Sequence, residues 1–385
     1  MVYKADPVDE SHANVTRESS NGSPFGPELL EDDRGGPVQK SLTLSPLPSS
    51  LFENEPLQGI PKAKIAYFFN PSVASFDLGD DHAMKPARVA IADALIEGYA
   101  LYRKMGVFAS LWHSDWGYCL FHRMLKLAFN GNVTPELATS AWGPYLDQFG
   151  LDAGNDEEKS DCPVFNGVYK WCQHFSGVSV EAGRMLTEGN ADIAINYAGG
   201  IHHARRSSAS GFCYINDIVL ATLELLRMFP RVLYVDIDVH HGDGVQVLTE
   251  HDCYESTYFN GKFFPTTGSK RETGLRQGEG FSVNIPLDDH IRDGPYFETF
   301  CEVMDLVMTH CQPSAIVVQT GADSIAGDKL GTFNLSIRGH GRCIEYLKTR
   351  NLPMLVLGGG GYTIANVARA WTYECGLLND AILTD

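Results

Sequence analysis

The chain has 385 residues, 44% of them hydrophobic and 20% charged, enough for one large globular domain or two small ones. A formal net charge of -18 argues against a broad electrostatic nucleic-acid surface, and no apolar stretch approaches the roughly 18 residues of a membrane span. Nine cysteines with no C-x-x-C spacing exclude a zinc knuckle or dithiol motif. Cys213, Cys301, Cys311 and Cys343 sit in apolar surroundings and read as buried free thiols of a reducing compartment. The first residues, "MVYKADPVDESHANVTRESSNG", carry no apolar core of a secretory signal, so the expectation is a soluble intracellular protein.

Residues 1–62 are rich in Ser, Pro, Gly, Asp and Glu without a sustained period. Such a segment cannot bury enough apolar area to offset its ordering entropy, and a disordered N-terminal extension is expected. Residues 63–385 are expected to form one domain. Order begins at "AKIAYFF" (63–69), a strand-like run, followed by amphipathic "GYALYRKM" (98–105). "SLWHSDWGYCLFHRMLKLAFNGN" (110–132) looks helical, and the rest of 107–160 reads as loop and short helix. Beyond it, "DIAINYA" (192–198), "RVLYVDI" (231–237), "SAIVVQTG" (314–321) and "PMLVLGGGG" (353–361) are short apolar runs of the kind buried on both faces of a sheet. Amphipathic "NDIVLATLELLRMF" (216–229), "YFETFCEVMDLVMTHC" (296–311) and "HGRCIEYLKTR" (340–350) alternate with them. The alternation predicts an α/β fold with a central, mostly parallel sheet flanked by helices.

In an open parallel sheet, chemistry collects at the carboxyl ends of the strands. Here each run ends in polar or glycine-rich sequence. The run 192–198 leads to His202 and His203, and the run 231–235 leads to Asp236, Asp238, His240, His241 and Asp243. The run 314–319 leads to Asp323, and 353–357 to "GGGGY" with Tyr362. Strand alternation puts Asp236, Asp238 and His240 on one side and Ile237 and Val239 on the other. A carboxylate and an imidazole two residues apart can chelate a divalent ion, and Asp323 can add a third ligand. That set suits zinc in a catalytic site, but also Fe(II), Co(II) or Mn(II). Taken singly, each residue reads as a cap or loop hydrogen-bonder, "GGGG" as a turn, Tyr362 as a core aromatic, and Arg205 and Arg206 as a solvated turn. As a set they do not, because unpaired buried carboxylates and imidazoles at four strand ends would cost several kcal/mol each.

The blocks "AGGIHHARRSSASGFCYINDIVLA", "VLYVDIDVHHGDGV", "FFPTTG", "GADS", "GDKLGTFNL", "GHGRC" and "LGGGGYTIANVARAWTYE" resemble, in order, the zinc-dependent histone deacetylases, class I in particular. The resemblance runs from about residue 64 to the C-terminus. It implies a single arginase/deacetylase-like α/β domain that removes acetyl groups from lysine, with water as nucleophile. It implies Asp238, His240 and Asp323 as ligands of one catalytic Zn2+. His203 would be the general base and acid, His202 its electrostatic partner, and Asp236 and Asp243 the acids that hydrogen-bond these imidazoles. Tyr362 would donate to the oxyanion. Phe212 and Phe264, with Gly211, Leu330 and Gly360, would bound the acyl-lysine tunnel, and Asp161 in "SDCPVF" would hydrogen-bond the substrate backbone at the rim. Acetylated histone tails or other acetyl-lysine proteins are the implied substrates, corepressor subunits the implied partners, and the nucleus, with the cytoplasm beside it, the implied location.

Departures from the pattern bear on regulation. The chain keeps Lys85 of "HAMKPAR", but carries Asp77 and Asp81 where the family has a histidine and a glycine. Lys329 and Ala365 stand where it has arginines. Added acids and a lost guanidinium disfavour the inositol phosphate of class I complexes. "QVLTEHDCYESTYFNGKFFPTTG" (246–268) is shortened where the family builds a structural potassium (K+) site. "NDAILTD" stops short of the family's closing helices. These features motivate two rival readings: a non-catalytic scaffold with a degenerate domain, and an acetylpolyamine amidohydrolase of the same fold.

Overall fold

Short runs of Val, Ile and Leu that satisfy their backbone groups only by pairing make the centre of the molecule. The computed structural model describes residues 63–109, 146–151, 161–246, 253–262, 264–274 and 278–383. The expected extension at 1–62 and the expected helix at 110–132 lie outside the described residues, as does most of 107–160.

Eight strands are described: β1 (Ile65–Phe68), β2 (Gly106–Phe108), β3 (Ile193–Asn196), β4 (Val232–Asp236), β5 (Cys253–Asn260), β6 (Ser282–Leu287), β7 (Ala315–Gln319) and β8 (Met354–Leu357). They form one sheet in the order β2-β1-β3-β8-β7-β4-β5-β6, and every pairing is parallel. The four runs singled out by their polar ends are therefore four consecutive strands. Their register is level: Asn196 pairs with Leu357, Leu357 with Gln319, and Gln319 with Asp236. Whatever follows these residues emerges along one edge.

Alternation along the strands feeds two cores. Ile65, Ile193, Leu233, Val235, Ile316, Val318 and Val356 face one, with α1 (Ala87–Gly98), α5 (Asp293–Cys311), α6 (Ile337–Lys348) and α7 (Ile364–Leu378) packed over them. Ala66, Ala194, Val232, Tyr234, Val317 and Leu355 face the other, covered by α2 (Val168–Thr187) and α3 (Asp217–Leu225). A one-turn helix, α4 (Asp243–Gln246), follows β4. Each fully buried aliphatic side chain in these layers contributes about 1.5–3 kcal/mol. A third cluster, including Trp171, Phe175, Ile201, Tyr214 and Tyr362, lies beneath the loop that follows β3.

Strands β2, β5 and β6 are not among the runs singled out in the sequence, and two helices also differ from the expectation. The amphipathic reading of 98–105 is displaced: the helix is α1, whose Val89, Ala92 and Ile96 are buried. It ends at Gly98, and Ala100 at φ 53° turns the chain into a short 3-10 helix, Leu101–Lys104. The longest helix among the described residues, α2, has 16 of its 20 residues buried and is not among the segments singled out in the sequence. Of the four cysteines expected to be buried, Cys213, Cys311 and Cys343 are, whereas Cys301 is only half-buried.

Candidate active site

At the end of β4 the strand stops at Asp236, so alternation does not place the residues beyond it. Side-chain turns do. The Asp238 N–H donates to Asp236 Oδ1 at 3.1 Å, and the His240 N–H donates to Asp238 Oδ1 at 2.9 Å. Ile237 and Val239, wholly buried, point into the core between them. From β7, a single 3-10 turn (Ala322–Ser324) presents Asp323, whose Oδ1 accepts the Val239 N–H at 3.0 Å. One donor atom from each of Asp238, His240 and Asp323 lies within 4.8 Å of the others, all buried.

This group fits a divalent cation on its own chemistry. Asp323 Oδ2 is buried, 3.2 Å from His240 Nδ1. Burial and the neighbouring Asp238 push the Asp323 carboxyl up. Burial pulls the His240 imidazole down, but hydrogen bonds to Asp238 and Asp323 push it to about 10, so in protein groups alone a proton supplies the missing positive charge. Two carboxylates and one imidazole leave coordination positions open for water and substrate. The backbone is shaped to the cluster: a Cβ on Gly360 would fall 1.9 Å from Asp323 Oδ2, and one on Gly321 would fall 2.0 Å from Asp238 Oδ2.

Beside the cluster lie two imidazole–carboxylate pairs from the loop after β3. His202 Nδ1–H donates to Asp236 Oδ2 at 2.8 Å, and the Tyr234 hydroxyl donates to the same oxygen at 2.6 Å. His203 Nδ1–H donates to Asp243 Oδ1 at 2.8 Å. The rings are 4.0 Å apart, too close for both to carry charge comfortably. Burial disfavours the charge on His202, but Asp236 and Asp238 outweigh it and raise its pKa to about 9. Burial and the charge on His202 lower His203 to about 3. At neutral pH the pair holds one proton too many on His202 and leaves His203 a neutral imidazole, able to accept one.

Tyr362 closes the group from β8, after glycines at φ 132° (Gly359) and φ 118° (Gly361) that no other residue adopts without strain. Its ring centroid is 6.4 Å from that of His240 and 5.6 Å from that of Phe212. Asp161, His203, Gly211, Phe212, His240, Phe264, Leu330 and Tyr362 line one cavity of about 260 Å³. Phe264 and Leu330 are its exposed members; Asp161 accepts the Gly211 N–H at 2.9 Å. The remaining residues expected at the site, His202, Asp236, Asp238, Asp243, Asp323 and Gly360, stand behind this lining. All fourteen are thus brought to one end of the sheet.

Sequence reasoning missed several partners of these groups. Arg205, expected in a solvated turn and half exposed there, also donates from Nη2 to Asp243 Oδ2 at 2.8 Å and so shares the carboxylate that holds His203. Gln319 donates from Nε2 to Asp238 Oδ2 at 2.8 Å; as a polar residue ending an apolar strand, it carried the same signal as Asp236. Arg88 is buried beneath the glycine loop, donates to the carbonyls of Gly361 and Gly359 and lies 5.2 Å from the Trp371 ring. Lys85 donates to the carbonyls of Gly79 and Asp80 at 2.6 and 2.9 Å, with Asp77 3.8 Å away. The expected potassium segment falls partly on 247–252 and 263, outside the described residues.

Residues 82–378 match the family described as "Histone deacetylase domain". The chain is 45% identical to "Histone deacetylase RPD3" of Saccharomyces cerevisiae over 325 residues, 84% of this chain and 73% of that protein. It is 44% identical to "Histone deacetylase clr6" of Schizosaccharomyces pombe over 325 residues, 83% of this chain and 78% of the other. With "Histone deacetylase 19" of Arabidopsis thaliana the identity is 45% over 319 residues, 82% of this chain and 62% of the plant protein.

Proposed function

The chain belongs to the histone deacetylase family, and we propose that it hydrolyses the acetyl amide of N6-acetyl-lysine in histones and other basic proteins. The observation that carries this reading is the convergence, in one cavity of about 260 Å³, of a three-ligand cluster, a neutral imidazole and a phenol. Residues 63–385 are the catalytic domain on this reading.

Asp238, His240 and Asp323 would hold the metal, which we take to be zinc from the family resemblance, with a donor set compatible with it. Such an ion supplies Lewis acidity to an amide carbonyl and to water, lowering the pKa of bound water to about 7. The chain's own groups do the rest. Phe212 and Phe264 form apolar walls that suit a neutral acetylated lysine stem and disfavour an ammonium that would have to shed its water. His203, held by Asp243, takes a proton from the attacking water at Nε2 and returns one to the departing amine. Charged His202, anchored by Asp236, favours the negative charge that develops beside it. The Tyr362 hydroxyl donates to the oxyanion; losing one such donor costs on the order of 100- to 1000-fold in rate. The acidic character of the chain attracts basic tails, and we place its action at chromatin in the nucleus, within a corepressor complex.

A scaffold reading gives no use to a three-ligand cluster, a neutral imidazole and a phenol that line or back one cavity, and no observation favours it. Lys85 is engaged by the loop at 77–80, in keeping with an acidic surrounding that disfavours an inositol phosphate. The test is acetate release from an acetyl-lysine histone-tail peptide by the zinc-loaded chain. Turnover blocked by a hydroxamate, and reduced on the order of 100- to 1000-fold in Tyr362→Phe, is expected. Wild-type rates in Tyr362→Phe or His203→Ala would sink the mechanism, and turnover of acetylated polyamines alone would replace the substrate.

A further inference from the structure

One carboxylate ties two walls of the cavity together. Asp328 follows the turn that presents Asp323 and precedes Leu330. Its Oδ1 accepts the N–H groups of Leu330 at 2.9 Å and Gly331 at 3.2 Å. Its Oδ2 accepts those of Tyr362 at 2.7 Å and Thr363 at 3.0 Å. The same seam is closed by Thr363 Oγ1 donating to the Gly327 carbonyl at 2.9 Å and Asn366 Nδ2 donating to that of Ala326 at 3.1 Å. Thr363, at the N-terminal end of α7, makes no capping bond with its own side chain. The Asp328 carboxylate instead takes the two amides just before the first turn, at the positive end of a 15-residue helix.

We propose that Asp328 is a positioning residue for the reaction: it fixes the backbone of Tyr362 and the Leu330 wall relative to each other. This rests on the reading that Tyr362 serves amide hydrolysis. The need is physical. Tyr362 follows glycines that restrain the backbone little, and a misplacement of about 1 Å at a reacting group can cost roughly 100-fold in rate. Arg88 holds the carbonyls of Gly359 and Gly361, and Asp328 holds the next two amides. Only a carboxylate serves both pairs. An asparagine offers one acceptor oxygen, and its NH2 group would face two N–H donors.

The zinc-loaded full chain and its Asp328→Ala and Asp328→Asn variants are compared on an acetyl-lysine peptide, each also in a Tyr362→Phe background. The expected result is a fall in kcat of about 10- to 100-fold with KM within about twofold. In the Tyr362→Phe background the same change should cost less than about twofold, because the group it positions is already absent. Equal losses in both backgrounds, or a change confined to KM, would overturn the proposal. Amide hydrogen exchange gives a readout independent of turnover. Tyr362, Thr363, Leu330 and Gly331 should exchange faster in Asp328→Ala while β7 and β8 keep their protection; unchanged protection would refute the tether. Asp328→Asn supplies the comparison if the alanine variant misfolds. If the wild type releases no acetate, the assigned reaction fails, and the exchange experiment still decides whether Asp328 holds these amides.

Discussion

Gly360 has no room for a side chain, because the carboxylates of Asp238 and Asp323, two of the three candidate metal ligands, occupy the space where one would begin. Its own N–H donates to Asp238 Oδ2 at 2.9 Å, and a methyl group there would sit 1.9 Å from Asp323 Oδ2. The crowding is local to the ligands. Gly360→Ala should therefore impair metal retention while leaving the fold in place: elemental analysis should find well under one ion per chain, since a methyl group there displaces the Asp323 carboxylate from the position the ion requires. Far-ultraviolet circular dichroism should match the wild type. A fully loaded variant would show that the carboxylates are not held where the metal needs them. Arg205 belongs to the same scale. Its guanidinium competes for Asp243, yet half of its side chain is exposed, so solvent screens the pair and its influence on His203 is modest.

Elements position these residues by lending them their ends. The loop carrying His202 and His203 is fixed by Asp217 in the first turn of α3. Asp217 accepts the N–H groups of Gly200 at 3.0 Å and Ile201 at 2.9 Å and the Ser179 hydroxyl of α2 at 2.5 Å. Burial raises the Asp217 carboxyl, and the three donors oppose that shift. Asn216, capping the same helix through its Oδ1, donates from Nδ2 to the Ala204 carbonyl at 3.0 Å, so both sides of the histidine pair are tied to one helix start. Asp217→Ala would leave the Gly200 and Ile201 N–H groups buried without a partner, each costing about 1–3 kcal/mol, while the Ser179 hydroxyl keeps the Phe175 carbonyl at 3.3 Å. The expected outcome is a stability loss of about 2 kcal/mol or more in urea unfolding, with a fall in acetate release. A loss below about 1 kcal/mol would mean that the loop is held by its packing instead.

Across the whole molecule the relevant quantity is charge. A formal -18 attracts cationic substrates over distances that salt can screen, the Debye length being about 10 Å at 0.1 M and about 3 Å at 1 M. The kcat/KM for a lysine-rich acetylated tail should therefore fall several-fold between about 50 mM and 500 mM salt, through KM, while that for a short neutral acetyl-lysine substrate stays nearly constant. Stopped assays over a salt series measure both. Identical salt profiles would place substrate selection in the cavity alone.

The four strand ends, and with them Asp236, Asp238, His240, Asp323, His202, His203 and Tyr362, were legible in the sequence because buried parallel strands have one spelling: a short apolar run stopped by polar or glycine residues. The metal cluster could be named from D-x-H spacing and one more acid, since those residue types leave few other ways to satisfy buried charge. The reason behind the spacing was different from the one the strand pattern offered, because Asp238 and His240 lie beyond β4 and are set by side-chain turns. Contacts between distant segments were legible only where the family resemblance implied them, as for the histidine–carboxylate pairs. Arg88 reaches the glycine loop from α1, Asp328 joins Leu330 to Tyr362, and Arg205 meets Asp243 only because β3 and β4 end at the same edge. Local pattern reports which groups must be buried and on which element. Which partner satisfies each of them depends on strand order and loop closure, and the folded chain alone decides that.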